Sequence, residues 1–515
     1  MPAAVLAAAL SLTLGAMVPS AAHDPVTAKA PTSRPASLSL SPTSGYLPGS
    51  DLTLTGNLGV SGRHRVVVQR HLGRDGDRWT DIAGTGATTR RSGAFVVHVP
   101  ASGMNDIAYR VASATTSHAT PSVPVDAAIQ ETVVTAQERV VAPGAPLTLT
   151  VDTTVGSGSF AAAPPLAGRG LTLQQRVDGF RWATIATGAT DAQGNGSFTI
   201  AAPTAVGEAV YRVRQEDWTA GLDRVGWHAS HPVYVTVGDP SARTSLRPAA
   251  PTAHAGTPSV DQARRVLSAQ RTAAATYQWR DPAFDFDWEY GESLTSPATR
   301  GTRLRGWWSD YSDGTGRIAV RNGAALISSI SEYGSRGSAN LGSTWMTLNG
   351  NPRRFGRWET RVLPTGWGAG SEMRVVVELV PASAAEQRCS ASGIVLADYT
   401  PQATSVGFGA RSAQPQWTRS VRTGSTNMVA HAFAVEVGRQ RITWFIDGRP
   451  VGSLEDTAAL PAGPLTMRAS LIGDHSGTNA RAKLGVDWVR SWSLKHGKQV
   501  RLKRSFAVGA NPTTC

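Results

Sequence analysis

Two short segments hold the side chains best suited to chemistry. In SEMRVVVELVP (Ser371–Pro381), Met373, Val375, Val377 and Leu379 alternate with Arg374, Val376 and Glu378. Successive side chains of a strand point to opposite faces, so Arg374 and Glu378 fall together on a polar face. In SGIVLADYTP (Ser392–Pro401), Asp398 is the sole carboxylate. A glutamate and an aspartate brought side by side can divide general acid and general base between them. A guanidinium would hold one ionised and leave the other to carry a proton. The same residues also admit a structural role, with Arg374 paired to Glu378 and Asp398 a solvated neighbour. Exposed pairs of that kind contribute only ~0–1 kcal/mol.

The elements that must position these groups emerge from composition and pattern. The chain has 515 residues, 50 Lys+Arg against 37 Asp+Glu, 15 Trp and 2 Cys. An apolar fraction of 41% excludes a disordered polymer. Two cysteines exclude a disulfide framework and a Cys-based zinc site. Ala3–Val18 is the one long apolar stretch, and Ser20, Ala21 and Ala22 follow it as a small-residue cleavage pattern. This reads as a secretory signal over residues 1–22, although no basic residue precedes it. The expectations are a secreted or wall-associated protein with no membrane span in the mature chain. In an oxidising compartment Cys389 and Cys515 could pair; two free thiols are the alternative.

After a linker at 23–36 the chain repeats itself. VVVQR (Val66–Arg70), RWTDIAGTGAT (Arg78–Thr88), SGAF (Ser92–Phe95) and Tyr109-Arg110 return as LTLQQR (Leu171–Arg176), RWATIATGAT (Arg181–Thr190), NGSF (Asn195–Phe198) and Tyr211-Arg212. Trp79 and Trp182 lie 103 residues apart. Such self-similarity marks duplicated domains. Short period-two runs broken by Gly, Pro, Asn and Asp predict two immunoglobulin-like sandwiches, at 37–126 and 127–238, each with the repeated Trp in its core. A Pro-rich linker follows at 239–258, then a short helix over 260–275 capped by Ser259. From Tyr277 onward aromatics become dense and β pattern continues to the end, so 259–515 reads as one larger all-β domain.

Four segments of that last domain carry a resemblance. They are RRFGRWETRVLP (Arg353–Pro364), HAFAVEVGRQRITWFIDGRPVG (His431–Gly452), PLTMRASLIGD (Pro464–Asp474) and VDWVRSW (Val486–Trp492). In order and spacing they resemble the laminarinase-type members of glycoside hydrolase family 16. The resemblance covers roughly residues 277–495. It implies a concanavalin-A-like jelly roll of two antiparallel sheets, with a glycan cleft on one of them. Members of that family carry Glu-x-Asp-x-Glu, sometimes with one extra residue, on a catalytic strand whose carboxylates serve as nucleophile, helper and acid/base. A retaining mechanism needs two carboxyl groups about 5–5.5 Å apart. The matching stretch, Ser392–Pro401, places Ile394 at the nucleophile position, Leu396 at the helper position and Asp398 at the acid/base position. An isoleucine cannot attack an anomeric carbon.

The same resemblance would put Arg374, Trp345, Trp367 and Tyr399 near the cleft as substrate-binding groups. At most one of Trp444 and Phe445, successive in a strand, would meet it. Asp487 matches a position that helps some members hold calcium; a structural calcium is the one cofactor implied, and none is required. The basic tail KHGKQVRLKR (Lys495–Arg504) reads as a solvated run that could also hold anionic wall polymers. Nucleic acid is not an expected partner, and a monomer is. The functional expectation is recognition of a β-linked polysaccharide or cell-wall glycan, with retaining hydrolysis impaired or lost. The alternatives are an active glycoside hydrolase using Asp398 and Glu378, and a non-enzymatic wall adhesion or spacer protein.

Overall fold

The structure, a computed structural model, describes residues 34–510 apart from 73–78, 83, 104–106, 129–130, 156–161, 178–180, 231, 242–271, 289–306, 315, 322, 330–340, 368–372, 384–391, 413–414 and 476–480. The expected signal sequence, most of both expected linkers, the expected helix start at Ser259, Cys389 and Cys515 lie outside the described residues. The described part is almost wholly β, as the period-two runs require. No described helix is long and apolar enough to cross a membrane.

The first repeat packs a three-stranded sheet (Ser37–Ser41, Asp51–Asn57, Ala94–Pro100) on a five-stranded one built around Arg65–Leu72 and Ile107–Ser113. Leu52, Leu54, Val66, Val68, Phe95 and Tyr109 fill the space between them. The second repeat packs a three-stranded sheet on a six-stranded one around Pro146–Asp152, Gly170–Val177 and Gly207–Gln215, with Leu149, Leu173, Phe198 and Tyr211 inside.

The repeated tryptophans are not in these cores. Each is half-buried on a sheet surface under the repeated arginine: Arg110 lies 4.1 Å over Trp79, and Arg212 lies 4.4 Å over Trp182. A glutamine fixes each guanidinium, Arg110 Nε donating to Gln69 and Arg212 Nε to Gln174, both at 2.8 Å. The fully buried aromatic of each copy is the repeated tyrosine instead. In the first copy the stacked indole keeps its ring covered while the Arg110 charge stays near water, which suits a surface better than a core; in the second, Arg212 is buried.

In the last domain the described residues form sixteen strands: β1 (Phe284–Asp287), β2 (Trp307–Ser312), β3 (Arg317–Arg321), β4 (Ala324–Ser328), β5 (Thr344–Asn349), β6 (Gly356–Trp367), β7 (Arg374–Pro381), β8 (Gly393–Tyr399), β9 (Ser405–Arg411), β10 (Gln416–Arg422), β11 (His431–Val437), β12 (Ile442–Ile446), β13 (Arg449–Leu454), β14 (Leu465–Ile472), β15 (Arg481–Trp492) and β16 (Ala507–Gly509). The front sheet runs β2-β5-β14-β7-β8-β9-β10-β16; the back sheet runs β3-β4-β15-β6-β11-β12-β13, with β1 also on β15. All pairs are antiparallel. Their inner faces share one core, in which Val375, Val377 and Leu379 of β7 meet Phe433, Val435 and Trp444 of the back sheet.

Two segments outside the sheets also pack. A four-residue helix, Ala273–Thr276, is capped by Thr272. With Trp279 it covers Ala434, Phe445 and Trp492 on the back sheet's outer face. The basic tail is not merely solvated. The Leu502 carbonyl accepts from Ser453 N at 2.9 Å, Phe506 packs on Trp444 and Phe408, and β16 pairs with β10, so the tail laces one sheet to the other.

The second repeat docks on this domain. Trp227 and Ala229 join its core cluster, and Arg212 forks onto Asp310 of β2 at 2.5 and 3.2 Å. Glu131, fully buried, meets Arg317 of β3 at 3.2 Å and His228 at 3.8 Å. Burial, reinforced by the guanidiniums of Arg317 and Arg169, pushes His228 down from 6.5 to about 3. Between those values the unfolded chain binds a proton that the folded chain refuses. This contribution is therefore present above about pH 6.5 and is lost as pH falls toward 3, by at most about 1.4 kcal/mol per pH unit. Denaturant melts at about pH 7 and about pH 5 should show a larger loss for the natural chain than for His228→Gln; identical losses would remove His228 from the account.

Candidate functional site

The polar face expected around Arg374 exists. It is the outer face of the front sheet, and its pairing differs from the expected one. Cross-strand register lines up Tyr311, Trp345, Ser470, Val376, Asp398, Gly407 and Ser420 in one row. The adjacent row holds Ser309, Thr347, Arg468, Glu378, Val395, Gly409 and Thr418. Glu378 and Asp398 thus share a face on neighbouring strands, one row apart.

Each carboxylate is bound by arginine. Arg374 forks onto Asp398, Nε to Oδ1 at 2.5 Å and Nη2 to Oδ2 at 2.6 Å. Arg374 does not pair with Glu378. A strand rises about 3.3 Å per residue, so positions i and i+4 stand about 13 Å apart; pairing at that spacing belongs to helices. Glu378, 3% exposed, lies between two other arginines. Arg468 donates Nε and Nη2 to its Oε1 at 2.9 and 2.6 Å, and Arg411 Nη2 donates to its Oε2. Burial pushes the Glu378 carboxyl up, but the Arg468 and Arg411 charges outweigh it and hold the pKa below the usual glutamate value. Glu378 is therefore an ionised carboxylate at neutral pH, suited to order the sheet and unsuited to donate a proton.

A bulge decides which side chains of β8 reach this face. Val377 pairs with Ala397, but the next pair is Glu378 with Val395. On the other side Val395 pairs with Gly409 and Asp398 with Gly407. One residue is surplus, and Ile394, Leu396 and Ala397 all turn into the core. The outward positions are Gly393, Val395 and Asp398. Ile394 and Leu396, expected on the resemblance at the nucleophile and helper positions, therefore point into the core, and the face is left with Gly393, Val395 and Asp398. The bulge has a partner in the opposite sheet, where Trp444 Nε1 donates to the Val395 carbonyl at 2.9 Å.

The remaining expected site residues separate. Trp345 is on the front face, half-buried and stacked on Tyr311, with centroids 5.5 Å apart and planes at 20°. Tyr399 is not on it. Being next to Asp398 it points the other way, into the core against Phe433, where burial and then the Asp447 charge push its phenol up. Trp367 ends β6, a strand of the back sheet, and its side chain lies outside the described residues. Trp444 and Phe445 also belong to the back sheet, so neither meets the front face. Asp487 is the extra residue of a back-sheet bulge between the Arg361–Trp488 and Val362–Val486 pairs, and Arg361 Nε donates to its carboxylate at 2.6 Å. Asp285 of β1 accepts from Arg490 Nε at 2.9 Å. Among the described residues no group of three or more His, Cys, Asp or Glu gathers in a way that could hold a metal.

Sequence reading missed Tyr311, Arg411 and Arg468. Alternation assigns Arg468 outward, opposite the apolar Leu465, Met467, Ala469 and Leu471, and does the same for Arg411 beside Val406, Phe408 and Ala410. What it lacks is which strands are neighbours.

No family model matches the chain, and no curated protein matches it. Among solved structures the chain is similar to the catalytic domain of an endo-1,3-beta-glucanase (laminarinase) from Thermotoga petrophila RKU-1, at 16% identity over 35% of this chain and 81% of that one, with a TM-score of 0.28. It is similar to the laminarinase from Rhodothermus marinus at 16% identity over 35% and 81%, TM-score 0.28. It is also similar to the endo-beta-1,3-glucanase from Pyrococcus furiosus at 14% identity over 34% and 77%, TM-score 0.27.

Two predictions follow from the geometry. Glu378→Gln leaves two arginines facing a neutral group in a buried setting and should cost about 3–5 kcal/mol, whereas Asp398→Asn, at a more exposed pair, should cost about 0–1 kcal/mol. Urea midpoints of the two variants check the order; equal costs would mean that the Glu378 cluster does not hold the sheet. Trp444→Phe removes the donor to Val395 together with part of a buried ring, so it should cost at least about 1–3 kcal/mol for an unsatisfied carbonyl, with a cavity cost added. A midpoint unchanged from the natural chain would show that the bulge needs no such bond.

Proposed function

We propose that this is an exported carbohydrate-active protein whose last domain binds a β-linked polysaccharide on the outer face of the front sheet and does not hydrolyse it by retaining double displacement. The observation that carries the reading is the outward set of β8: Gly393, Val395 and Asp398. Glycine offers no nucleophile and valine no helper carboxylate. The other carboxylate within reach, Glu378, is kept ionised by two guanidiniums, so it cannot supply the proton that a leaving group needs.

Binding draws on the same face. The Tyr311–Trp345 stack offers aromatic surface three strands from Asp398, about 14 Å at the usual strand spacing. A few linked sugar rings can span that distance, resting on the aromatic pair at one end and meeting Arg374 and Asp398 at the other. The two repeats act as spacers, the second of them docked on the binding domain. No calcium is needed, and the chain works as a monomer.

The test is a panel of β-linked glycans, both neutral (laminarin, lichenan, agarose) and charge-substituted, assayed for binding and for new reducing ends. Binding without reducing ends is expected, and Trp345→Ala should weaken it about tenfold or more. Reducing ends that vanish in Asp398→Asn would restore the hydrolase reading. Failure to bind any member of the panel, with salt-sensitive retention on whole cell walls, would replace the glycan reading with adhesion.

A further inference from the structure

The charge balance of the front face narrows the class of ligand. Outward positions of its strands carry four arginines, Arg374, Arg411, Arg422 and Arg468, against two carboxylates, Glu378 and Asp398. Both carboxylates are already engaged. The arginines are not exhausted, because a guanidinium has five N–H donors. Arg374 directs two to Asp398, Arg468 two to Glu378, and Arg411 one to Glu378. Arg411 Nε is buried with no acceptor, and so is the hydroxyl of Thr347, which sits opposite Arg468. Arg374 remains 54% exposed at its side chain, and Arg422 is exposed at the end of β10.

Neutral sugars present hydroxyl groups, which both donate and accept. A face whose carboxylates are both engaged and whose guanidinium donors are in surplus suits a ligand rich in acceptors. Planar carboxylates and sulfates match the guanidinium fork, and such charge-assisted bonds are about twice as strong as neutral ones. Resting on the glycan-binding reading above, we propose that the ligand of this face is an anionic β-linked polysaccharide, its carboxylate or sulfate groups received by Arg374, Arg411 and Arg422. Tyr311 and Trp345 then take the apolar faces of the sugar rings, and the arginine cluster selects charge.

Calorimetric titration with three polymers of one backbone tests this: neutral laminarin, carboxymethylated curdlan and curdlan sulfate. At near-physiological salt the anionic polymers should bind at least about tenfold more tightly than laminarin. The preferred one of the two identifies the group that is received. Arg374→Gln and Arg422→Gln, both at exposed positions, should each remove a several-fold part of that preference. Arg449→Gln, an exposed change on the back sheet, should leave it intact and serves as the control for the chain's overall positive charge. Equal binding of all three polymers would overturn the anionic proposal while leaving glycan binding in place. Equal losses in Arg449→Gln and the front-face variants would overturn it as general electrostatics. No binding of any polymer would sink the glycan reading itself.

Discussion

Between Val395 and Asp398 strand β8 carries one residue more than either neighbour, and that surplus governs what the front sheet presents. Strict alternation would send Ile394, Leu396 and Asp398 to one face, two apolar side chains to solvent with one charge among them. The bulge turns Leu396 and Ala397 inward together and leaves Asp398 beside Arg374. At the bulge the Val395 carbonyl accepts from Trp444 of the back sheet. A bulge re-aims side chains at the cost of a ladder bond, and a donor from the facing sheet offsets that cost. The bond ties the inner packing of the sandwich to the composition of its outer face.

The polar cluster on that face has two parts with different physics. Around Glu378 the charges are withdrawn from water, where a lone carboxylate could not persist; two guanidiniums and well-aligned hydrogen bonds make it tolerable. Such a group ties β14 to β7 and, across the intervening β8, to β9, by way of Arg468, Glu378 and Arg411. Around Arg374 and Asp398 the pair is open to water and weakly held, free to exchange partners with a ligand. Stability is thus centred on Glu378 and recognition on Arg374 and Arg422, with Arg411 serving both.

The duplicated modules show one device put to two uses. In both, glutamine and tryptophan fix an arginine on the sheet surface. In the second copy that preset guanidinium forks onto Asp310, and Glu131 with Arg317 and His228 completes a buried polar contact beside Trp227 and Ala229. A side chain already held in place loses little freedom on docking, which favours such a contact between domains.

Much of this was legible in the residues. Period-two runs determined the all-β class, self-similarity determined the duplication, and alternation in Ser371–Pro381 determined that Arg374 and Glu378 share a polar face. These are local properties, set by the geometry of one strand. Tertiary structure alone decided the rest. Which strands lie side by side determined that Arg374 meets Asp398 and that Arg468 and Arg411 meet Glu378. The bulge in β8 determined that Gly393 and Val395, not Ile394 and Leu396, face outward, and the same parity buried Tyr399. Sheet membership moved Trp367 and Trp444 to the back. Each depends on hydrogen bonds between strands far apart in the chain, and a one-residue change in register reverses every face it touches. No local pattern encodes that choice, because the competing registers differ only in the packing they allow.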